Sequence, residues 1–174
     1  MTLFEAVNKR YSYRGEFQDK APSRDDLQNI LEAGLAAPSG CNAQTTYLIG
    51  VDDPEIIKKM AALLSKPKLA SAPAGICVVT HSIPSYRDMY FNIQDYSAAI
   101  ENMLLAISAL GYASCWIEGE ITSDKKRQKS AAELLGIPDI YTFVAWLPVG
   151  IPESPGKRAV KKAFKERAFY NRWG

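Results

Sequence analysis

The chain has 174 residues, 21 basic and 19 acidic, with 47% apolar and 23% charged side chains. That length suits one domain burying roughly 70% of its unfolded surface, and the apolar share excludes a disordered or collagen-like chain. A net charge of +2 gives no bulk argument for a nucleic-acid partner, and no apolar run of about 18 residues marks a membrane span.

The opening Met1-Thr2-Leu3-Phe4-Glu5 lacks the basic and apolar regions of a signal peptide. Thr2 and Glu5 fit a capping box, which predicts a helix to about Lys9 or Arg10. Ser23 and Asp26 open a second helix. Its apolar positions Leu27, Ile30, Leu31, Gly34 and Leu35 share one face, and it ends before Pro38. Thr45 to Val51 reads as a strand, and Pro54 starts a helix through Leu64. Ala74 to Thr80 is a short, continuously apolar strand of the kind buried at the centre of a sheet. The strongest helical pattern runs from Ile93 to Leu110. There Tyr96, Ala99, Ile100, Met103, Leu104, Ile107 and Leu110 recur at helical spacing before a Gly111 cap. A strand from Ala113 to Ile117 follows, then a helix opened by Ser123 or Asp124 and stopped at Gly136, then a strand from Tyr141 to Val149. Strands separated by helices predict a layered α/β or α+β domain with no internal repeat or linker. From Lys157 to Gly174 seven basic residues accompany one acidic residue. The chain therefore reads as one domain over residues 1–174 with a basic C-terminal arm from about 157.

Cys41, Cys77 and Cys115 are odd in number and lack close pairing, which suits a reducing cytoplasm better than a disulfide framework. The lone histidine, His81, excludes a zinc site built on two or three histidines of one chain, and no metal is expected. It follows the apolar run Ile76-Cys77-Val78-Val79-Thr80 at a strand end, where a structural role is the expectation. Any Ser-His-Asp or Cys-His chemistry would have to use it.

Four stretches can carry chemistry. In Arg10-Tyr11-Ser12-Tyr13-Arg14 two guanidinium groups flank a hydroxyl after a short helix, which suits a phosphate or equally a solvated basic turn. The loop Pro38-Ser39-Gly40-Cys41-Asn42-Ala43-Gln44 offers two amides that can read the edge of a planar heterocycle, or it simply caps the helix. Trp116-Ile117-Glu118-Gly119 ends a strand, and Gly119 permits close backbone approach by a ligand, or forms a plain turn. Pro155-Gly156-Lys157-Arg158 is a second cationic cluster, or a solvated tail. Together they supply two cation clusters, an amide loop and a glycine turn, the inventory a mononucleotide cofactor requires.

In that order the stretches resemble the FMN-dependent nitroreductase family over nearly the whole chain. The matching segments are Lys9-Arg10-Tyr11-Ser12-Tyr13-Arg14, then Ile30-Leu31-Glu32-Ala33 through Ala37-Pro38-Ser39-Gly40-Cys41-Asn42-Ala43-Gln44. Asp95-Tyr96-Ser97-Ala98-Ala99-Ile100-Glu101-Asn102-Met103-Leu104-Leu105-Ala106 and Leu110-Gly111-Tyr112-Ala113-Ser114-Cys115-Trp116 follow. Leu135-Gly136-Ile137-Pro138 and Pro155-Gly156-Lys157-Arg158 complete the set. The length is similar to that of compact members.

The resemblance implies an α+β fold with a central, mostly antiparallel sheet flanked by helices, where helix–strand alternation alone points to a parallel one. It also implies an intertwined homodimer with FMN at the subunit interface, the long helix in the dimer core and the basic tail reaching over the partner. Arg10 and Ser12, with Tyr11 between them, match positions that hold the FMN phosphate and ribityl chain. Arg14 matches a cation near the flavin N1 and O2. Pro38, Ser39, Asn42 and Gln44 match a loop covering the isoalloxazine from the other subunit. Glu118 and Gly119 match a turn facing N5, and Lys157 and Arg158 match a C-terminal phosphate clamp. Two departures stand out: Thr45-Thr46 follow Gln44 where the family usually has Pro-Trp, and Tyr11 replaces a common second basic residue.

For activity, the resemblance implies an NAD(P)H oxidoreductase reducing nitroaromatics, quinones or similar conjugated small molecules. NADH or NADPH and the acceptor would use one flavin face in turn, giving ping-pong kinetics. A fixed cation at Arg14 favours reduced flavin, and hydride moves to and from N5. No side chain is therefore expected as nucleophile or acid/base, and Arg14, Glu118 and Gly119 support the flavin chemistry. Three alternatives remain. One is a specialised flavin reductase of the same family, such as a reductive dehalogenase, with Pro84-Ser85-Tyr86-Arg87-Asp88-Met89-Tyr90 as part of a lid or as an ordinary connection. Another is a non-catalytic anion-binding module using the tail and Lys125-Lys126-Arg127-Gln128-Lys129, against the expectation of no nucleic-acid and no membrane partner. The third is a cysteine enzyme built on Cys41.

Overall fold

The computed structural model describes residues 1–174. Helix α1 (Leu3–Lys9) starts at a capping box in which Thr2 N–H donates to the Glu5 carboxylate at 2.8 Å and Glu5 N–H to the Thr2 hydroxyl at 3.3 Å. Ser23 caps α2 (Arg24–Leu35) by accepting from Asp26 N–H. Strand β1 (Thr46–Val51) leads to α3 (Pro54–Leu63), with Asp53 as cap and Pro54 in the first turn, where its missing N–H costs nothing. Strand β2 (Ala74–Thr80) is buried at every position. A hairpin of β3 (Pro84–Tyr86) and β4 (Met89–Tyr90) precedes the long α4 (Asn92–Ala109). Short α5 (Gly119–Thr122), α6 (Lys125–Leu134) and β5 (Thr142–Val149) follow.

The sheet has the order β1-β2-β5 and both pairings are antiparallel. The connection between β1 and β2 explains why helix–strand alternation misleads here. Helix α3 spans about 15 Å, and residues 64–73 then run back, so β2 begins where β1 ends, with Val51 opposite Gly75. The period-two pleat of β2 splits its side chains between two cores. Ile76 and Val78 pack with Leu27 and Ile30 of α2 and with Tyr96, Ile100 and Met103 of α4. Cys77 and Val79 face Ile57, Met60 and Leu64 of the α3 layer and Phe143 and Trp146 of β5. The result is helices on both faces of an antiparallel sheet, an α+β architecture.

The strand expected over Ala113–Ile117 is not formed. This segment lies beside β5 in register, Ala113 opposite Gly150 and Ile117 opposite Trp146, but only as isolated bridges. The intervening pair would set Cys115 against Pro148, and proline has no N–H to donate to the ladder. The segment bonds instead on its other side, where Ser114 C=O accepts from Tyr13 N–H at 2.8 Å. The stretch before α4 is a tight hairpin rather than an open connection, with Arg87 and Asp88 at φ +47° and +63° supplying its two-residue turn. No helix is long and apolar enough to cross a membrane.

Candidate active site

The two ends of the chain meet because each pairs with the core and with the other. Ser12 bridges Ser114 in parallel, which lays residues 10–14 along the segment beyond β5. Gln18 N–H donates to Ile151 C=O and Glu153 N–H to Glu16 C=O, both at 2.9 Å, so the chain leaving β5 runs back past the start. The Tyr11 ring then lies against Gly156, where any Cβ would collide with it. Tyr11 thus seats the chain immediately before Lys157 and Arg158.

Arg10, Tyr11, Ser12, Arg14, Lys157 and Arg158 consequently line one cleft of about 450 Å³, with Lys161 added from the tail. Only one carboxylate offsets these five cations. Glu101 Oε1 lies 3.3 Å from Arg10 Nε, too poorly aligned for a hydrogen bond, and Arg10 also borders the cleft. Arg14 reaches only the Ser12 carbonyl, at 3.5 Å, and no ion pair engages Lys157, Arg158 or Lys161. Five cations facing a single carboxylate beside a hydroxyl have the chemistry that suits a multiply charged oxyanion.

Arg14 also borders a second cavity, of about 700 Å³, together with Tyr13, Cys115, Trp116 and Gly119. A Cβ placed on Gly119 would meet nothing within 4 Å, so this turn is open. The Glu118 side chain does not line this cavity: its carboxylate accepts from Tyr96 Oη at 2.8 Å and Trp116 Nε1 at 2.9 Å. Those bonds fix the turn that carries Gly119. Burial, and then the Glu118 carboxylate, push the Tyr96 phenol well above its ordinary pKa.

The amide loop lies elsewhere in this chain. Pro38, Ser39 and Gln44 line a third cavity of about 500 Å³ with Leu31 and Leu35 of α2 and Asp95 and Ala99 of α4. It shares no residue with the other two cavities. Asn42 is exposed and lines none of the three.

Lys66 and Lys68 were not legible as site residues, yet both line the 700 Å³ cavity. Lys66 is tied to Glu120 at 2.8 Å. The only signal was a Lys-Pro-Lys step between a predicted helix and strand.

All three thiols are free, Cys41 exposed and Cys77 and Cys115 buried. Burial pushes the Cys77 thiol well above its usual range, and burial also raises Cys115 against the lowering influence of Arg14 and Lys66. An alkylating reagent on the native protein is expected to label Cys41 alone, with Cys77 and Cys115 labelled only after unfolding, as read by mass spectrometry. The raised thiols and the raised Tyr96 stay protonated in the folded chain where the unfolded chain ionises. Their contribution is therefore intact below about pH 8.5 and is lost as pH rises beyond it. Denaturant titrations should show stability falling from pH 8.5 upward, and a rise over that range would contradict the assignment.

The sequence pattern of the Nitroreductase family matches residues 7–67 and 61–151. A protein of Archaeoglobus fulgidus, provisionally named NADH dehydrogenase/NAD(P)H nitroreductase, is 34% identical over 140 residues, spanning 79% of this chain and 78% of its own. A crystal structure from Parabacteroides distasonis with the same provisional name superposes with a TM-score of 0.84 at 25% identity, covering 98% of both chains. A structure described as an FMN-dependent nitroreductase of Clostridium difficile R20291 gives 0.81 at 25% identity over 98% of this chain and 99% of that one. Since the pattern reaches across both core layers and the fold agrees over almost the full length, the chain belongs to the nitroreductase family.

Proposed function

We propose that the chain is an FMN-dependent NAD(P)H oxidoreductase that reduces nitroaromatics, quinones or similar conjugated acceptors, and that it works as a homodimer. The observation that carries this reading is the cationic cleft built from both chain ends, which shares Arg14 as a lining residue with the 700 Å³ cavity. That pair of spaces fits a group with a phosphate at one end and a planar ring at the other. The cations and Ser12 suit the phosphate, and the second cavity offers aromatic and aliphatic walls, Tyr13, Leu69, Trp116 and Ile117, to the ring. Bound FMN would supply the redox chemistry, hydride transfer from NADH or NADPH to the acceptor in two separate half-reactions.

The chain's own residues bind and bias. Arg10, Lys157 and Arg158 hold the phosphate, and Ser12 adds a hydroxyl. Arg14, which lines both cavities, would set positive charge beside a ring bound in the larger one and so favour its reduced, more negative form. Glu118, locked by Tyr96 and Trp116, keeps the Gly119 turn open for close approach. The FMN-dependent nitroreductase of Clostridium difficile and relatives named for NADH or NADPH use support the cofactor and donor.

The cavity lined by the amide loop shares no residue with the cleft, which supports the loop's service to a second subunit. Large apolar side chains left exposed support the same dimer: Leu3, Phe4 at 78% and Val7 on α1, Leu35 on α2, Ile93 on α4, and Phe164, Tyr170 and Trp173 at 88% in the tail. Replacing Leu3 and Phe4 together by aspartate is expected to halve the mass seen by sedimentation and to release FMN. A dimer that survives the change places the interface elsewhere. The free thiols support a reducing, cytoplasmic setting.

Anaerobic mixing tests the activity. FMN-loaded protein should lose its yellow colour on adding NADH or NADPH and regain it with a nitroaromatic or quinone. Colour that persists with both donors would overturn the reading.

A further inference from the structure

We propose that Asp95, which no matching motif assigns to the site, is a positioning residue that fixes the shape of the amide loop; the inference rests on the functional reading that this loop meets the flavin of a second subunit. The loop needs fixing. Cys41, Asn42 and Gln44 have φ of +51°, +55° and +49°, a region that side chains beyond glycine and asparagine disfavour. Such backbone persists only where its surroundings dictate it.

Asp95 supplies that constraint from α4. It is only 4% exposed, and its two oxygens divide between the two ends of the strained stretch. Oδ1 accepts from Gly40 N–H at 2.8 Å and Oδ2 from the Thr45 hydroxyl at 2.6 Å. The residues with positive φ all lie between those grips. The carboxylate has no basic partner, and its hydrogen bonds go only to this loop. The far end is anchored in turn. Thr45 C=O accepts from His81 N–H at 2.8 Å and from the Thr80 hydroxyl at 3.2 Å, which ties it to the end of β2. Gly40 sits against the Phe91 ring with no room for a Cβ. Within the loop, Ser39 Oγ accepts from Gln44 N–H at 3.0 Å. The arrangement leaves Asn42 and Gln44 exposed with a set backbone, ready to present amides to a neighbour.

Asp95→Asn keeps the shape but gives up the charge and one of the two acceptor oxygens, so that if Gly40 N–H keeps the remaining oxygen the Thr45 hydroxyl must reverse and accept from the new amide. Thr45→Val removes one bond alone and guards against a variant that fails to fold. Both are measured by FMN titration, by visible circular dichroism of the bound flavin and by melting of the FMN-free protein. They are measured again in a Gln44→Ala background. Asp95→Asn is expected to raise the FMN dissociation constant about tenfold and Thr45→Val somewhat less, with an altered flavin dichroism in each. In the Gln44→Ala background the Asp95→Asn effect should shrink to about threefold or less, since the route through the loop is already lost. Lower melting temperatures with unchanged FMN affinity and dichroism overturn the inference, as does an equal effect in both backgrounds. Wild-type protein that takes up no FMN overturns the functional reading and this inference together.

Discussion

Arg10→Ala is expected to weaken FMN binding about 10- to 100-fold and to leave riboflavin binding unchanged. A charge-assisted hydrogen bond contributes about 1.5–3 kcal/mol, and each 1.4 kcal/mol is a factor of about ten in affinity. Arg10 borders the cleft and its guanidinium is opposed only by Glu101, whose carboxylate is half exposed. Losing that ion pair should change the stability of the FMN-free protein by no more than about 1 kcal/mol. Arg158→Ala should act in the same direction, although it stands at the other end of the sequence. The double variant should approach the affinity for riboflavin. Fluorescence titration with the two ligands separates the effects: equal losses for FMN and riboflavin would mean that Arg10 acts on the ring or on the fold and not on the phosphate.

The second large effect concerns stability. Trp146→Ala should destabilise the fold by about 3–5 kcal/mol, the range for removing a buried aromatic ring. Trp146 is 1% exposed in β5, packed in the core on the α3 side, and its indole occupies the space that a Cβ on Gly75 would need. Truncation leaves a cavity bounded by the central strand, which cannot collapse without moving β2. The melting temperature should fall by roughly 6–20 °C for a chain of this size, measured at fixed protein concentration because association adds to apparent stability. Gly75→Ala tests the same contact from the other side, and overpacking there should cost about 1–3 kcal/mol. A Gly75→Ala variant as stable as wild type would show that the indole can move aside.

Most helices and the central strands were legible because their signals are local. Thr2 with Glu5, Ser23 and Asp124 announce helix starts, and each caps as expected. The unbroken apolar run at Ala74–Thr80 lies buried between two neighbours. Strand direction was not legible from alternation, because it depends on the return of residues 64–73 after α3, which has no periodic pattern. The resemblance supplied it. The failed strand at Ala113–Ile117 depends on a distant residue, Pro148, and local propensity cannot register such a partner. Likewise the cleft joins residues 10–14 to 157–161. Composition shows two basic clusters, but their meeting depends on Tyr11 lying over Gly156 and on pairing beside β5. Lys66 and Lys68, and the role of Asp95 within its matched segment, carry no local signal for a related reason. A lysine in a turn or an aspartate in a helix shows no positioning role until its partners are in place.

Calorimetric titration of the wild-type protein with FMN and with riboflavin, repeated at rising salt, tests the cleft itself. If cations from both termini grip one phosphate, FMN binds at least about 100-fold more tightly than riboflavin. The gap should narrow as ionic strength screens the charges, and inorganic phosphate should compete with FMN alone. Equal affinity for the two ligands at every salt concentration would contradict a phosphate site at Arg10, Lys157 and Arg158.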